Sequence, residues 1–266
     1  MCVWGGDNPD WFRTALDSLL AGTLLPDEIV LSVDGPVPEP LGAVIAEYEK
    51  NPLFVVVRLP ENRGHGEARR ASLAACRHDV VAIMDADDVC HPDRFAKQIP
   101  LLAGDNAPSV VGGQITEFIG TPDNIVARRT VKESDRAIKR DLKRRCPLNL
   151  VTVAFRKSDV EAVGGFMDWH CEEDYYLWIR MAEAGMRFGN LPDALVNVRV
   201  GPEMYGRRGG RAYYESERKL QRYMLDRGII GPVRYAVNIA TRFVVQRMLP
   251  NCLRGWVFRH FARKRA

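Results

Sequence analysis

Apolar positions in the first third of the chain follow two different spacings. Leu16, Leu19 and Leu20 fall at helical intervals after Asp10, which predicts a helix over 11–21. Pro26 breaks the chain. Residues 28–33 then form a short, nearly continuous apolar run that Asp34-Gly35-Pro36 stops. That is the pattern of a strand buried on both faces. The same reading predicts helices over 41–50 and 66–77 and strands over 53–58 and 80–84, the last ending on Asp85. A β-α-β-α-β order implies a mostly parallel sheet covered by helices on both faces. Sheets of this kind bind ligands at the carboxyl ends of their strands, where Asp34 and Asp85 stand.

Downstream, the pattern predicts strands over 109–116, 150–155 and 187–197, and helices over 157–163 and 173–184. Residues 127–145 are strongly charged and read as a loop with a short helix. Residues 235–264 alternate apolar side chains with arginines, and Pro250 divides them into two amphipathic helices. Residues 1–4 are strand-like, but a buried central strand usually runs about five or six residues. The expectation is that the first strand is cut short and that the natural start lies upstream.

Composition adds exclusions. The chain has 266 residues, 46% of them apolar, which suits one α/β domain with an extension. No apolar run reaches the roughly 18–20 residues of a membrane span, and residues 1–7 lack the pattern of a secretory signal. The six cysteines form no CxxC pair, which argues against a zinc or redox motif and fits a reducing cytoplasm. Charge is uneven along the chain. Residues 201–266 carry 15 Lys and Arg against 4 Asp and Glu, whereas residues 1–200 carry 23 against 30. A basic tail on an acidic body points to an anionic partner. No nucleic-acid recognition motif is present, so an anionic membrane surface is the expected partner.

Two acidic groups are candidates for chemistry. Asp85-Ala-Asp-Asp88 follows a wholly apolar strand. Three carboxylates in four positions repel one another unless a cation joins them, and hard divalent metals prefer oxygen ligands. A solvated acidic turn is the competing reading. Glu172-Glu-Asp174 precedes Tyr-Tyr-Leu-Trp178. Those carboxylates either cap a helix or supply a general base.

Taken in order, these pieces resemble glycosyltransferase family 2, with its GT-A nucleotide-binding fold. The resemblance rests on Asp34-Gly35, the stretch from Glu61 to Arg69, and Asp85-Ala-Asp-Asp88 with His91-Pro-Asp-Arg94. It continues through Gly164-Gly-Phe166 to Glu173-Asp174 and Leu177-Trp178. It covers residues 1–200, and the bacterial capsular and exopolysaccharide transferases are the most similar subgroup. The resemblance implies that Asp34 hydrogen-bonds a uracil or thymine ring and that Arg69 lies near the nucleotide. It implies that Asp85 contacts the ribose or the metal shell, Asp87 ligates Mg²⁺ or Mn²⁺, and Asp88 lies beside the donor sugar. Asp174 would be the base of an inverting displacement. Where the subgroup often has Asn-His, this chain has Asn149-Leu150, so no histidine role carries over.

Residues 201–266 are expected to form a basic lid loop followed by the amphipathic extension. In the lid, Arg207 and Arg208 would pair with the donor diphosphate; a solvated basic loop is the alternative. The resulting expectation is an enzyme at the cytoplasmic face of the cell membrane. It would move a sugar from a nucleotide-sugar donor, a UDP-sugar first of all, to a glycan or lipid-linked acceptor. A sugar nucleotidyltransferase and a non-catalytic binding module remain as alternatives, although residues 1–7 lack the basic triphosphate loop of the former.

Overall fold

The computed structural model describes residues 1–104, 106–201 and 210–248, together with the backbone of 264–265. Arg207, Arg208, Pro250 and the second expected amphipathic helix lie outside these residues.

The N-terminal half is built as its apolar runs predict. Strand β1 (Cys2–Trp4) leads into helix α1 (Pro9–Leu20). The helix starts two residues earlier than expected. Asn8 accepts hydrogen bonds from the amides of Asp10 and Trp11, and Pro9 occupies the first turn, where its missing N–H costs nothing. Strand β2 (Ile29–Asp34), helix α2 (Glu39–Tyr48), strand β3 (Phe54–Leu59) and helix α3 (His65–Ala75) follow. The three strands form a parallel sheet in the order β1-β2-β3. β1 spans only the last half of β2, from Cys2 opposite Ser32 to Trp4 opposite Asp34. Phe12 and Leu16 of α1 and Leu41 and Ile45 of α2 pack with Leu31 and Val33 in one apolar cluster. Each such side chain contributes about 1.5–3 kcal/mol on full burial.

The next strand departs from the expectation. β4 (Val80–Ala82) does not extend the parallel sheet among the described residues. It pairs antiparallel with β8 (Ala154–Arg156). A short apolar run signals burial but not its partner, so the sequence could not separate these pairings. The second sheet also contains β5 (Val89–Cys90), β6 (Val110–Phe118), β7 (Ile125–Arg129) and β9 (Phe188–Arg199). β10 (Lys264–Arg265) adds to β7. β6 is buried along its whole length, parallel to β9 and antiparallel to β7 and β8. Gly113 permits this packing: a Cβ there would come within 2.5 Å of Leu195 Cδ1.

Helices α4 (Arg94–Gln98), α5 (Asp135–Leu142), α6 (Lys157–Ala162) and α7 (Glu173–Glu183) cover this sheet. The expected strand over 150–155 is a 3₁₀ turn at Leu150–Thr152 followed by β8. Trp178, Tyr175 and Ile179 of α7 sit at the centre of a second apolar cluster with Phe155 and Val110. Helix α8 (Arg211–Asp226), which the periodicity did not predict, inserts Leu220 and Met224 into the same cluster. Helix α9 (Pro232–Phe243) reaches the edge of this cluster only through Tyr235 and ends in a π-helical turn at Val244–Met248. No helix among the described residues is long and apolar enough to cross a membrane.

Candidate active site

The acidic turn is held by its neighbours. Asp85, Asp87 and Asp88 follow β4 and line one end of a cleft of about 860 Å³, together with Asp7, Arg69 and Arg199. The fully buried Arg94 explains why His91-Pro-Asp-Arg94 follows the turn. Its guanidinium donates to the carbonyl of Ile83 at 2.8 Å and to Gln98 Oε1 at 3.2 Å, tying α4 to the chain just before Asp85. The same cleft is also lined by Ile29 and Val30 of β2 and Val81 of β4, with Glu28, His78 and Asp79 beside them.

Asp88 is 3% exposed, and its Oδ1 accepts the backbone N–H of Arg199 at 2.8 Å. Burial raises its pKa well above the ordinary value, and the charges of Asp87 and Asp85 add to this. The Arg199 amide and guanidinium oppose the shift. Arg199 also donates through Nε to the Asp87 carbonyl at 3.1 Å and through Nη1 to the Gly120 carbonyl at 2.7 Å. Its guanidinium lies 4.6 Å from the ring centres of both Trp11 and Phe118. Sequence reading missed this residue. An arginine ending a strand carries no local signal, and its partners lie about eighty residues or more away. Asp7, which accepts the Trp4 amide at 3.0 Å, was missed as well, because only the fold brings it to the cleft beside Asp85.

This donor set suits a hard divalent cation. All three side chains offer oxygen, and repulsion within the turn is the condition that a cation relieves. Among the described residues, no three His, Cys, Asp or Glu side chains gather into a complete cage.

Asp34 sits elsewhere in the fold, at the carboxyl end of β2. It lines a cavity of about 220 Å³ with Trp4, Asn62 and His65. Its carboxylate is buried and accepts the amides of Arg63 at 2.7 Å and Gly64 at 2.9 Å. Gly35 adopts φ +82, and a Cβ there would come within 2.5 Å of the Asn62 nitrogen. The Asp-Gly turn and the loop after β3 therefore close on each other. Each carboxylate oxygen has a second lone pair, so Asp34 retains capacity for further donors.

Arg69 connects the acidic turn to α7. Its Nη2 lies 3.8 Å from Asp85 and its Nη1 lies 2.5 Å from Glu173 Oε1, with both Arg69 and Glu173 largely buried. The next residue, Asp174, accepts the Tyr175 amide at 2.7 Å through Oδ1, and its Oδ2 lies 3.6 Å from Cys146 Sγ. Burial raises the Asp174 pKa, with the Glu173 charge adding, whereas Arg69, the Tyr175 amide and the Cys146 thiol oppose. Glu173 is thus committed to an ion pair. Among the described residues Asp174 is left without an ion pair at this distance, and burial raises the proton affinity of both Asp174 and the neighbouring Glu172.

A parallel sheet whose β2 ends on Asp34, beside a mixed sheet whose β4 leads into the acidic turn and a helix that opens on carboxylates, is an α/β arrangement of the GT-A type. The sequence profile of glycosyl transferase family 2 matches residues 6–163, and the chain belongs to that family. An uncharacterized glycosyltransferase of Haemophilus influenzae is 40% identical over 99% of this chain and 98% of its own length. The amylovoran biosynthesis glycosyltransferase AmsE of Erwinia amylovora is 36% identical over 93% and 92%. An Escherichia coli protein named UDP-Gal:alpha-D-GlcNAc-diphosphoundecaprenol beta-1,3-galactosyltransferase is 30% identical over 99% and 95%. Among solved structures, Staphylococcus aureus TarS 1-349 in complex with UDP-GlcNAc superposes with TM-score 0.63 at 16% identity, covering 91% of this chain and 71% of that one. The mannosyltransferase PcManGT of Pyrobaculum calidifontis, in complex with GDP-Man and Mn²⁺, gives 0.61 at 17% identity over 95% and 70%. These likenesses establish the expected fold. Family membership also decides against the nucleotidyltransferase reading of the acidic turn.

Proposed function

We propose that this chain is an inverting transferase that moves a hexose from a UDP-sugar to a polyprenyl-diphosphate-linked sugar. The observation that carries the reading is the bridge formed by Arg69 between Asp85 of the acidic turn and Glu173, the neighbour of the candidate base. The pocket beside Asp34 would take the nucleobase. Asp174 accepts the proton of the acceptor hydroxyl as that oxygen bonds to the anomeric carbon, and the bond to the diphosphate breaks on the opposite side. A single displacement from the opposite side inverts the centre. Asp85 and Asp87 would hold a divalent metal, which neutralises charge on the leaving diphosphate. Arg69 and Arg199 keep the surrounding carboxylates in place. The names of the E. coli and Erwinia relatives support the donor, the lipid-linked acceptor and a role in surface polysaccharide synthesis. The test is incubation with labelled UDP-hexoses, Mn²⁺ and a polyprenyl-diphosphate GlcNAc. Transfer from one of them, with inverted anomeric configuration, is expected; a retained configuration contradicts the mechanism.

The site is further assigned to an anionic membrane surface, reached through α9. That helix is built inside out. Val233 is 79% exposed, Val237 51% and Phe243 45%, while Asn238 is buried against the body. Asn238 donates to the Lys143 carbonyl at 2.9 Å, and Arg242 pairs with the buried Glu217. A helix that turns its apolar stripe outward beside a basic tail suits a lipid interface. Replacing Val233 and Val237 together by Glu is expected to reduce flotation on phosphatidylglycerol vesicles by about tenfold or more, since each buried valine supplies at least ~1.5 kcal/mol. Unchanged flotation would refute the assignment.

A further inference from the structure

The segment after α5 is fastened with unusual care. Tyr175 donates its hydroxyl proton to the Leu142 carbonyl. Asn238 holds the Lys143 carbonyl at 2.9 Å, and Arg242 Nη2 holds that of Arg144 at 2.8 Å. Helices α7 and α9 thus fix three successive carbonyls. The fixed stretch delivers one side chain to the base, with Cys146 Sγ 3.6 Å from Asp174 Oδ2. The thiol has one hydrogen and two acceptors in reach, the other being the Leu148 carbonyl at 3.7 Å. A carboxylate is the stronger acceptor of the two.

We propose that Cys146 is a positioning residue, whose S–H donates to Asp174 Oδ2 and, together with the Tyr175 amide on Oδ1, fixes the carboxylate that takes the proton of the acceptor hydroxyl. This inference rests on Asp174 being the base. Burial and the Asp174 charge raise the Cys146 pKa well above its usual value, so the group stays a thiol and a donor. Other charges act on Asp174 as well. Glu173 shares its helix and Arg69 faces it from α3. Arg129 of β7 acts on Cys146, and Glu217 and Arg242 act on Glu172. None of these changes when Cys146 alone is replaced.

The test compares Cys146→Ala and Cys146→Ser with the full-length wild type in the acceptor-transfer assay, across pH. Removing a donor to a carboxylate disfavours its charged form. In Cys146→Ala, kcat should fall about tenfold with donor KM unchanged, and the acid limb of kcat should move up by about half a pH unit or more. Cys146→Ser supplies a stronger donor and should return the limb to the wild-type pH or below it. An Ala variant with wild-type kcat and an unmoved limb overturns the proposal. So does a Ser variant that behaves like Ala, because that pattern reflects lost packing alone. Asp174→Asn is run alongside: if it still transfers sugar, the base reading itself has failed, whatever the Cys146 variants do.

Discussion

Asp174→Asn should lose about 10²- to 10⁴-fold in kcat while donor binding stays intact. Asparagine keeps the shape of the side chain and its hydrogen bond from the Tyr175 amide, but it cannot take a proton. The loss therefore falls on the chemical step and not on KM for the donor. The wild-type enzyme needs Asp174 ionised, and burial lifts its pKa above the ordinary carboxylate range. Activity should accordingly be full above that raised value and fall as pH drops through it, at a pH higher than a free aspartate, at about 3.9, would give. Stability runs the opposite way. A carboxyl with a raised folded pKa binds more protons folded than unfolded, so its contribution is present at low pH and is lost as pH rises through the folded value. At neutral pH the Asn variant sheds that penalty and should melt no lower than wild type. An inactive but stable variant separates chemistry from folding. Wild-type turnover in Asp174→Asn would move the role to another group.

Asp87→Asn should reduce kcat/KM by about 10²–10³, the scale on which enzymes lose charge stabilisation of a transition state. An amide oxygen is a much weaker ligand than a carboxylate for a hard cation. Part of the loss should be recovered by raising Mn²⁺, because Asp85 and Asp88 remain. Asp88 alone is a poor substitute, since its Oδ1 already accepts the Arg199 amide. Unchanged kcat/KM with an unchanged Mn²⁺ requirement would argue that the turn is only a solvated loop.

How much of this was legible in the sequence depends on the range of each interaction. The Asp34 and Asp85 positions were readable because an apolar run ending on an acid is a local signal. β2, β3, α2 and α3 were found within two residues at each end for the same reason. The partner of β4 was not readable, because pairing with Ala154–Arg156 joins segments about seventy residues apart. Helix α8 was missed because its inner face includes Ser216, Glu217 and Gln221 among the apolar positions. Ser216 is buried by donating to the His170 carbonyl, and Glu217 and Gln221 by pairing with Arg242 and Asn238 of α9, which no periodicity count can anticipate. The amphipathic stripe of α9 was legible, but its outward orientation was not. The roles of Arg199 and Cys146 exist only once β9 and the segment after α5 reach the carboxylates.

The central claim is a metal-assisted nucleotide site at Asp85-Ala-Asp-Asp88. Calorimetric titration of UDP into the wild-type chain and Asp87→Asn, each with and without Mn²⁺, tests it most directly. The account predicts that Mn²⁺ tightens UDP binding to the wild type by at least about tenfold, a gain of roughly 1.4 kcal/mol, and that Asp87→Asn removes this gain. UDP binding of equal strength with and without Mn²⁺ in the wild type, or an undiminished Mn²⁺ effect in Asp87→Asn, would contradict it.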